Sequence, residues 1–506
     1  MEPILLVKGL RTEFSTPRGV VRATDGVELE VRKGEVVGLV GESGCGKTVT
    51  ALSIMYLIPD PPGRIAGGEI WFRGINLLVG TEQEIVARRD DRGRTKVVRR
   101  ERLIRKHRDR MNKVRGREIS MIFQEPMSSL NPVLPVGYQI AEVLMYQRAR
   151  EISDAVLSRG EPSPQDLEAF GRAASLADPR KRREVLAEFC AKTGLPLTRV
   201  TEILEQTGTP LDERVRRVAR LARRRRVRNR WFARLLKKLD AVESDLIARE
   251  WRRLSGKAPP EGESGRLGLE AQYRSGRALY RLATSIPVVR RLLMRPIERE
   301  AERRVHDLLR MVRIPEPGKV YRAYPHELSG GMQQRIMIAM ALACEPALVI
   351  ADEPTTSLDV TTQAQILKLL EDLRSRLDSA ILYITHDLAV VAELCDRVAV
   401  MYAGKIVEDA PAEELFAGPK HPYTQGLLES IVSVDKPVSW DTPLPTIPGT
   451  VPDLLHPPLG CRFHPRCKYA FDRCSKEEPR LLPAAPGHKV ACFLYQAPED
   501  GHARAP

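Results

Sequence analysis

Three short segments carry residues whose types and spacing suit phosphate chemistry. Gly41-Glu42-Ser43-Gly44-Cys45-Gly46-Lys47-Thr48 fits G-x-x-x-x-G-K-[ST]. Its glycines let backbone amides wrap phosphates, Lys47 neutralises charge on them, and the Thr48 hydroxyl can ligate magnesium. In LSGGMQ, Ser329, Gly330 and Gly331 precede a helical run from Met332 to Ala343. Free N–H groups and the positive end of that helix therefore face outward at an anion, and Gln333 belongs to the same motif. The apolar run Ala347 to Ala351 ends in Asp352-Glu353, a pair able to hold magnesium and a water at the end of a buried strand. Asp359 follows in Ser357-Leu358-Asp359, a polar turn before a helix starting near Thr361. Singly, each piece also reads as a capped helix or a strand end; in this order they form parts of one nucleotide site.

Further candidates flank these segments. Gln124 follows the buried run Ile119 to Phe123, where an amide could ligate magnesium or orient a water while the Pro-rich segment after it moves. His386 ends the run Ala380 to Thr385, placed to donate to a γ-phosphate oxygen. Phe14 could stack on an adenine ring and is equally an ordinary core aromatic. Cys461, Cys467, Cys474 and Cys492 are spaced C-x5-C-x6-C-x17-C in a Pro-studded region with little core of its own. Four thiolates could hold such a segment folded around a metal. The spacing lacks the C-x-x-C pair of most zinc ribbons, so zinc, a [4Fe–4S] cluster and free thiols all stay open on chemistry alone. Cys45, Cys190, Cys344 and Cys395 are scattered and read as small buried hydrophobes.

The elements that must position these residues are legible in outline. Strands are expected over 4–10, 20–31 and 35–40, with turns at Arg18-Gly19, Asp25-Gly26 and Lys33-Gly34. The last strand feeds the glycine-rich loop, which feeds a helix over Val49 to Leu57, and Val49 completes the nucleotide-binding set. Gly67 to Gly74 reads as a strand and turn. Arg88 to Arg117 contains fifteen Lys/Arg against four Asp/Glu (Asp90, Asp91, Glu101, Asp109). Val98, Leu103, Ile104 and Met111 permit a helix with a thin apolar stripe there, either solvated or facing anionic lipid or an acidic partner. From about Arg148 to Arg295 the chain turns Arg-rich and helical, with breaks at Glu161-Pro162, Asp178-Pro179, Gly194-Leu195-Pro196, Gly208-Thr209-Pro210 and Pro259-Pro260. Phe232, Leu235, Leu236, Leu239, Val242 and Leu246 mark one helix face. Arg223 to Arg226 with Arg228 and Arg230 form a second basic concentration, and the few aromatics beside it (Trp231, Phe232) favour subunit docking over nucleic-acid binding. Pro296 suits the first turn of an amphipathic helix running to Arg313.

At 506 residues, 42% apolar and with a formal charge of +15, the chain can build two or three ordinary cores. No apolar run reaches the roughly 18 residues of a membrane span. The N-terminus MEPILLVKGLRTEF lacks the plan of a signal peptide, so the chain is expected to stay in the cytosol.

In this order the motifs resemble those of ATP-binding subunits of ABC transporters. More narrowly, FQEPMSSLNP, the stretch from YPHELSGGMQ to DEPTTSLD, HPYTQGLL and the tail IPGTVP…GCRFHPRC are similar to the subunits of dipeptide and oligopeptide permeases. The similarity covers roughly 1–80, 115–147 and 297–495; segments 88–117 and 148–296 are longer than the family pattern leads one to expect. The resemblance implies an α/β P-loop NTPase (RecA-like) core with an antiparallel β-subdomain and a helical subdomain enlarged by an all-helical insertion. A small Cys-containing C-terminal domain completes it. The expected division is 1–124 and 340–420 for the nucleotide-binding core, 125–339 for the helical subdomain with its insertion at about 148–296, and 421–506 for the Pro-rich C-terminal domain.

The resemblance further implies a head-to-tail dimer in which Ser329, Gly330, Gly331 and Gln333 of one subunit close on ATP held by Gly41 to Val49 of another, with Asp359 acting across the dimer. Glu353 would polarise the water, Thr48, Gln124 and Asp352 would fix magnesium, and Lys47 and His386 would hold the γ-phosphate. The four C-terminal cysteines would hold a [4Fe–4S] cluster, with zinc as the alternative. Implied partners are a second ATPase subunit (a heterodimer), two membrane permease subunits and an extracytoplasmic substrate-binding protein, with no specific nucleic acid. The site would lie at the cytoplasmic face of the inner membrane. Importers of oligosaccharides or nickel share these ATPase motifs. A soluble ABC ATPase acting on nucleic acid or ribosomes is the rival class, motivated by the basic runs and opposed by the single glycine-rich loop and the lack of long heptads.

Overall fold

The structure is a computed structural model that describes residues 3–89, 95–158, 164–174, 178–193, 195, 197–205, 209–254, 263–285, 287–356, 358–430 and 446–496. Ser357, Asp90, Asp91, the breaks at Glu161-Pro162 and Pro259-Pro260, Gly194, Pro196 and Gly208 lie outside them, as do the side chains of Arg223 to Arg226, Arg228 and Arg230.

Two sheets form the scaffold. The larger has eight strands and centres on five parallel ones, in the order Arg397–Tyr402, Val36–Val40, Ala380–Thr385, Leu348–Asp352 and Ile119–Ile122. Every residue of these five is buried. Covering on both faces is why they read as unbroken apolar runs rather than alternating ones. The register sets Thr385 beside Val40 and Ile384 beside Asp352. Gly41, Gln124, Glu353 and His386 therefore follow neighbouring strands at one edge, the carboxyl edge where ligands sit in open α/β sheets.

The smaller sheet is antiparallel, built from Gly19–Arg32, Pro3–Thr16, Gly63–Phe72 and Ile75–Asn76. Asp25-Gly26 is not the expected turn. It lies inside a strand where the register shifts between Leu10 and Arg11, and Gly26 takes a φ of 83°. The single left-handed residue kinks the strand without reversing it, as a β-bulge does.

The C-terminal segment does not stand apart from the core. His488–Val490 pairs with Lys405–Pro411 and with Leu482–Ala485, extending the large sheet at its far edge. Glu408, fully buried, accepts from the backbone amides of Lys420 and His421 and lies 2.7 Å from His488 Nε2. Complete burial holds the His421 imidazole neutral, pushing it down to about 3.

Two helix expectations need correction. The basic stretch begins not as a helix but as a hairpin, Ile85–Arg89 with Thr95–Arg99, in which Val98 pairs with Val86. The helix starts only at Glu101 and runs to Val114. β-branched Val86, Val97 and Val98 favour the extended form locally, and charge density alone could not signal it. Pro296 lies inside the helix Pro287–Met311, not in its first turn. The loss of one hydrogen bond there is offset by packing: Ile297, Ala301, Val305 and Leu309 are buried in the main core.

The described residues of the expected insertion form helices joined by short breaks, with no strand among them, and the longest helix is Leu211–Leu254. Its outer part has a separate small core around Phe170, Leu186, Phe189 and Val218. The two atypical segments meet each other. Lys113 of the basic helix lies 2.8 Å from Glu243 and 3.7 Å from Asp240. Arg110 lies 3.5 Å from Glu250 and 4.9 Å over the ring of Trp251, which is buried in the nucleotide-side core. Arg115 donates to the carbonyls of Met55 and Tyr56. Part of the basic run thus neutralises the insertion and caps the helix after the glycine-rich loop.

Candidate functional site

The glycine-rich loop is forced into shape by close backbone approach. Gly46 has φ 106°, and a Cβ there would sit 2.4 Å from the Ala23 carbonyl oxygen. Lys47 begins the helix Lys47–Ile54, which stops short of the expected Leu57. Lys47 is 5% exposed, and its ammonium donates to the carbonyls of Gly41 (2.8 Å) and Glu42 (3.1 Å), so the loop is curled around its own cation. Ser43 and Gly44 are exposed, Cys45 is buried and Val49 half-buried. Burial raises the Cys45 thiol, which suits a packing role.

Asp352 and Thr48 meet at the same edge of the sheet. Thr48 Oγ1 donates to Asp352 Oδ1 at 3.2 Å. Burial pushes the Asp352 carboxyl up to about 6, aided by the neighbouring Glu353 charge and opposed by the Thr48 hydrogen bond and Lys47.

Glu353 is the hub. It has φ 45°, a left-handed conformation held by its N–H to the Ile384 carbonyl (2.9 Å). A strained, non-glycine residue fixed by its surroundings is typical of functional positions. Gln124 Nε2 donates to Glu353 Oε2 at 3.0 Å, Thr356 Oγ1 donates to the same oxygen at 3.1 Å, and His386 Nδ1 lies 3.2 Å from Oε1. The His386 side chain is 62% exposed, facing outward over this group. Thr356 escaped the sequence reading, although it sits three residues from Glu353 within DEPTTS.

Not every expected residue joins this group. Phe14 is half-buried at the end of its strand, where its ring backs onto Gly63. Ser329 caps the helix Gly330–Leu342, and Ser329 and Gly330 are exposed. Gln333 turns inward: its amide donates to the carbonyls of Pro325 (2.8 Å) and Leu328 (3.1 Å), and so shapes the loop from beneath. Asp359 caps Val360–Leu377, accepting from the Thr362 amide (2.9 Å) and hydroxyl (2.7 Å), which hold its carboxyl low. Leu358 and Thr362 lie against Gly330 and Gly331, so the two helix starts form one exposed surface.

All four C-terminal cysteines line one small apolar cavity with Pro422, Phe463, Phe471 and Phe493. Burial raises Cys461 to about 11 and Cys492 to about 12, with the neighbouring cysteines adding to it. Among the described residues, no three such donors converge as a single ion requires.

With this geometry in place, likeness to known proteins is informative. The ABC transporter family model matches residues 24–356, and that of the oligopeptide/dipeptide transporter C-terminal region matches 407–474. A probable peptide ABC transporter ATP-binding protein of Sinorhizobium fredii is 35% identical, over 97% of this chain and 94% of its own length. The oligopeptide transport ATP-binding proteins AppD and OppD of Bacillus subtilis are each 33% identical, over 99% and 97% of this chain and 99% and 88% of theirs.

Proposed function

The chain belongs to the ABC transporter family, among the ATP-binding subunits of its peptide importers, and from that premise we propose how its residues divide the work. The protein is an ATP-hydrolysing subunit of a peptide importer, acting with permease subunits and a substrate-binding protein. Among the described residues no helix is long and apolar enough to cross a membrane. The finer placement, peripheral at the cytoplasmic face of the inner membrane, follows from association with the permease pair.

The observation that carries the mechanism is the convergence of Gln124, Thr356 and His386 on Glu353 beside the Thr48–Asp352 pair. Glu353 polarises the attacking water. Thr356 and Gln124 hold one of its oxygens, leaving Oε1 toward His386 and the exposed edge. Lys47 leaves the loop carbonyls for the phosphates. Thr48 and Asp352, with Gln124, are the residues that would hold magnesium, which supplies charge neutralisation on the phosphates. His386, exposed, reaches the γ-phosphate, and Phe14 the adenine.

Ser329, Gly330, Gly331 and Asp359 serve the ATP of a partner, a second ATPase subunit related to this one. Gln333 contributes there by holding the loop. We keep 1–124 with 340–420 as the nucleotide-binding core, 125–339 as the helical subdomain and 421–506 as the C-terminal domain, the last of which lends a strand to the large sheet. We read Cys461, Cys467, Cys474 and Cys492 as the holders of a [4Fe–4S] cluster, with zinc as the alternative, on the single ground that all four line one cavity. Such a group supplies a cross-link for a segment poor in core.

Glu353→Gln tests the central claim. It should retain ATP and lower turnover by about 10²- to 10⁴-fold, the usual worth of a general base. Near-normal steady-state hydrolysis would refute the role.

A further inference from the structure

Glu42, the second residue of the glycine-rich loop, is held from three directions. Its carbonyl accepts from Lys47 Nζ at 3.1 Å. Its amide donates to Tyr423 Oη at 2.9 Å. Its carboxylate takes both terminal nitrogens of Arg466, at 2.9 and 3.2 Å. Two of the three partners come from the C-terminal segment, about four hundred residues away in sequence. Tyr423 is fully buried, and the Arg466 side chain is 6% exposed.

The surroundings of Arg466 are built to aim it. Its Nε donates to the Pro448 carbonyl at 2.8 Å, Nη2 lies 3.4 Å from that of Ile447, and Nη1 lies 3.3 Å from Tyr402 Oη. Gly449, at φ 76°, lets the chain pass close to its stem. The IPGT motif thus forms a cradle, which neither the hydrolysis chemistry nor the cysteines explain. Arg466 ends the short turn His464–Arg466, between Cys461 and Cys467. That turn is set by cysteine backbone: Cys461 donates to the Cys474 carbonyl (2.8 Å) and accepts from the His464 amide (3.0 Å).

We infer that Arg466 is a positioning residue for ATP, which links the four-cysteine cavity to the phosphate loop so that the state of the cysteines sets nucleotide affinity. A bidentate guanidinium–carboxylate pair fixes orientation as well as distance. Removing it frees Glu42, and with it the carbonyl that steers Lys47. The inference rests on the reading that Gly41 to Val49 bind ATP.

The test uses the full-length protein, a fluorescent ATP analogue with magnesium, and thermal unfolding. Arg466→Ala should weaken affinity tenfold or more, and Arg466→Lys should recover part of it. A drop in Tm with unchanged affinity would make the pair a structural staple and overturn the inference. Glu42→Gln, nearly isosteric, breaks the pair from the other side should the alanine variant not fold, and should weaken affinity likewise; unchanged affinity again overturns it. Cys467→Ser or Cys492→Ser should weaken affinity in the wild type yet add little in the Arg466→Ala background, because coupled residues are non-additive. Full additivity overturns the link to the cysteines. Failure of the wild type itself to bind the analogue would instead refute the ATP-binding reading.

Discussion

The two phosphate-facing regions of this chain are built to opposite standards. At the strand edge, Asp352 is 2% exposed and the Glu353 side chain 15%, and each is tied to other side chains. Around the start of Gly330–Leu342, Ser329, Gly330 and Asp359 stand exposed, and the Ser329 and Asp359 side chains accept hydrogen bonds within their own turns. The first region is complete in one chain. The second stands exposed and is, in the proposed function, the part that serves a partner's ATP. In the function proposed above, the difference separates chemistry from closure: one chain would hold ATP while turnover waits for a partner.

Breaking the comparison at its strong end has the largest effect on hydrolysis, through Glu353→Gln as described above. Next comes Ser329→Arg, which should lower turnover at least tenfold, about 1.4 kcal/mol, while ATP affinity of the single chain stays within about twofold. Mixed assemblies carrying it on one subunit only, assayed for hydrolysis, would show which site each chain serves. If single-chain affinity collapses instead, the two regions are not separate.

A smaller effect is expected from pH. The Asp352 carboxyl is raised to about 6 in the folded chain, above the ordinary carboxylate range, so the folded state favours its protonated form. Magnesium must displace that proton. Metal-dependent nucleotide affinity should hold above pH 6 and fall as pH drops below it, measured by titration at fixed ionic strength, whereas metal-free binding should not follow the same curve.

The smallest effect on turnover belongs to the insertion. Trp251→Ala removes a large side chain that is 3% exposed and should cost about 3–5 kcal/mol of stability, read by denaturant unfolding. The rate per folded molecule should remain close to wild type. A lost rate at full folding would mean that the insertion acts on the site through Tyr56 and the helix after the glycine-rich loop.

Legibility followed the range of the interactions. The local geometry of Gly41 to Thr48, Ser329 to Gly331 and Asp352-Glu353 was readable because each segment is formed within one strand, turn or helix start. Four of the five buried strands were readable because burial on both faces leaves unbroken apolar runs; Arg397–Tyr402, which opens on a charged residue, was not read. The hairpin 85–99 was missed because dense charge masked a short β-branched pattern. Pro296 misled because tertiary packing overrode a local rule. Gln333 was given an outward role on motif alone, although only its contacts with Pro325 and Leu328 show where it points.

By itself the sequence determined the chemistry: a phosphate loop, a carboxylate pair and a signature turn, in an order that names a family. Only the tertiary structure decided how these are wired. It placed Arg466 on Glu42, Arg110 on Trp251, and Gln124 and His386 on the two oxygens of Glu353. The physical reason is that a motif is selected by backbone geometry over a few residues, whereas an ion pair or a side-chain hydrogen bond depends on distance in space, and the fold sets that distance independently of separation along the chain.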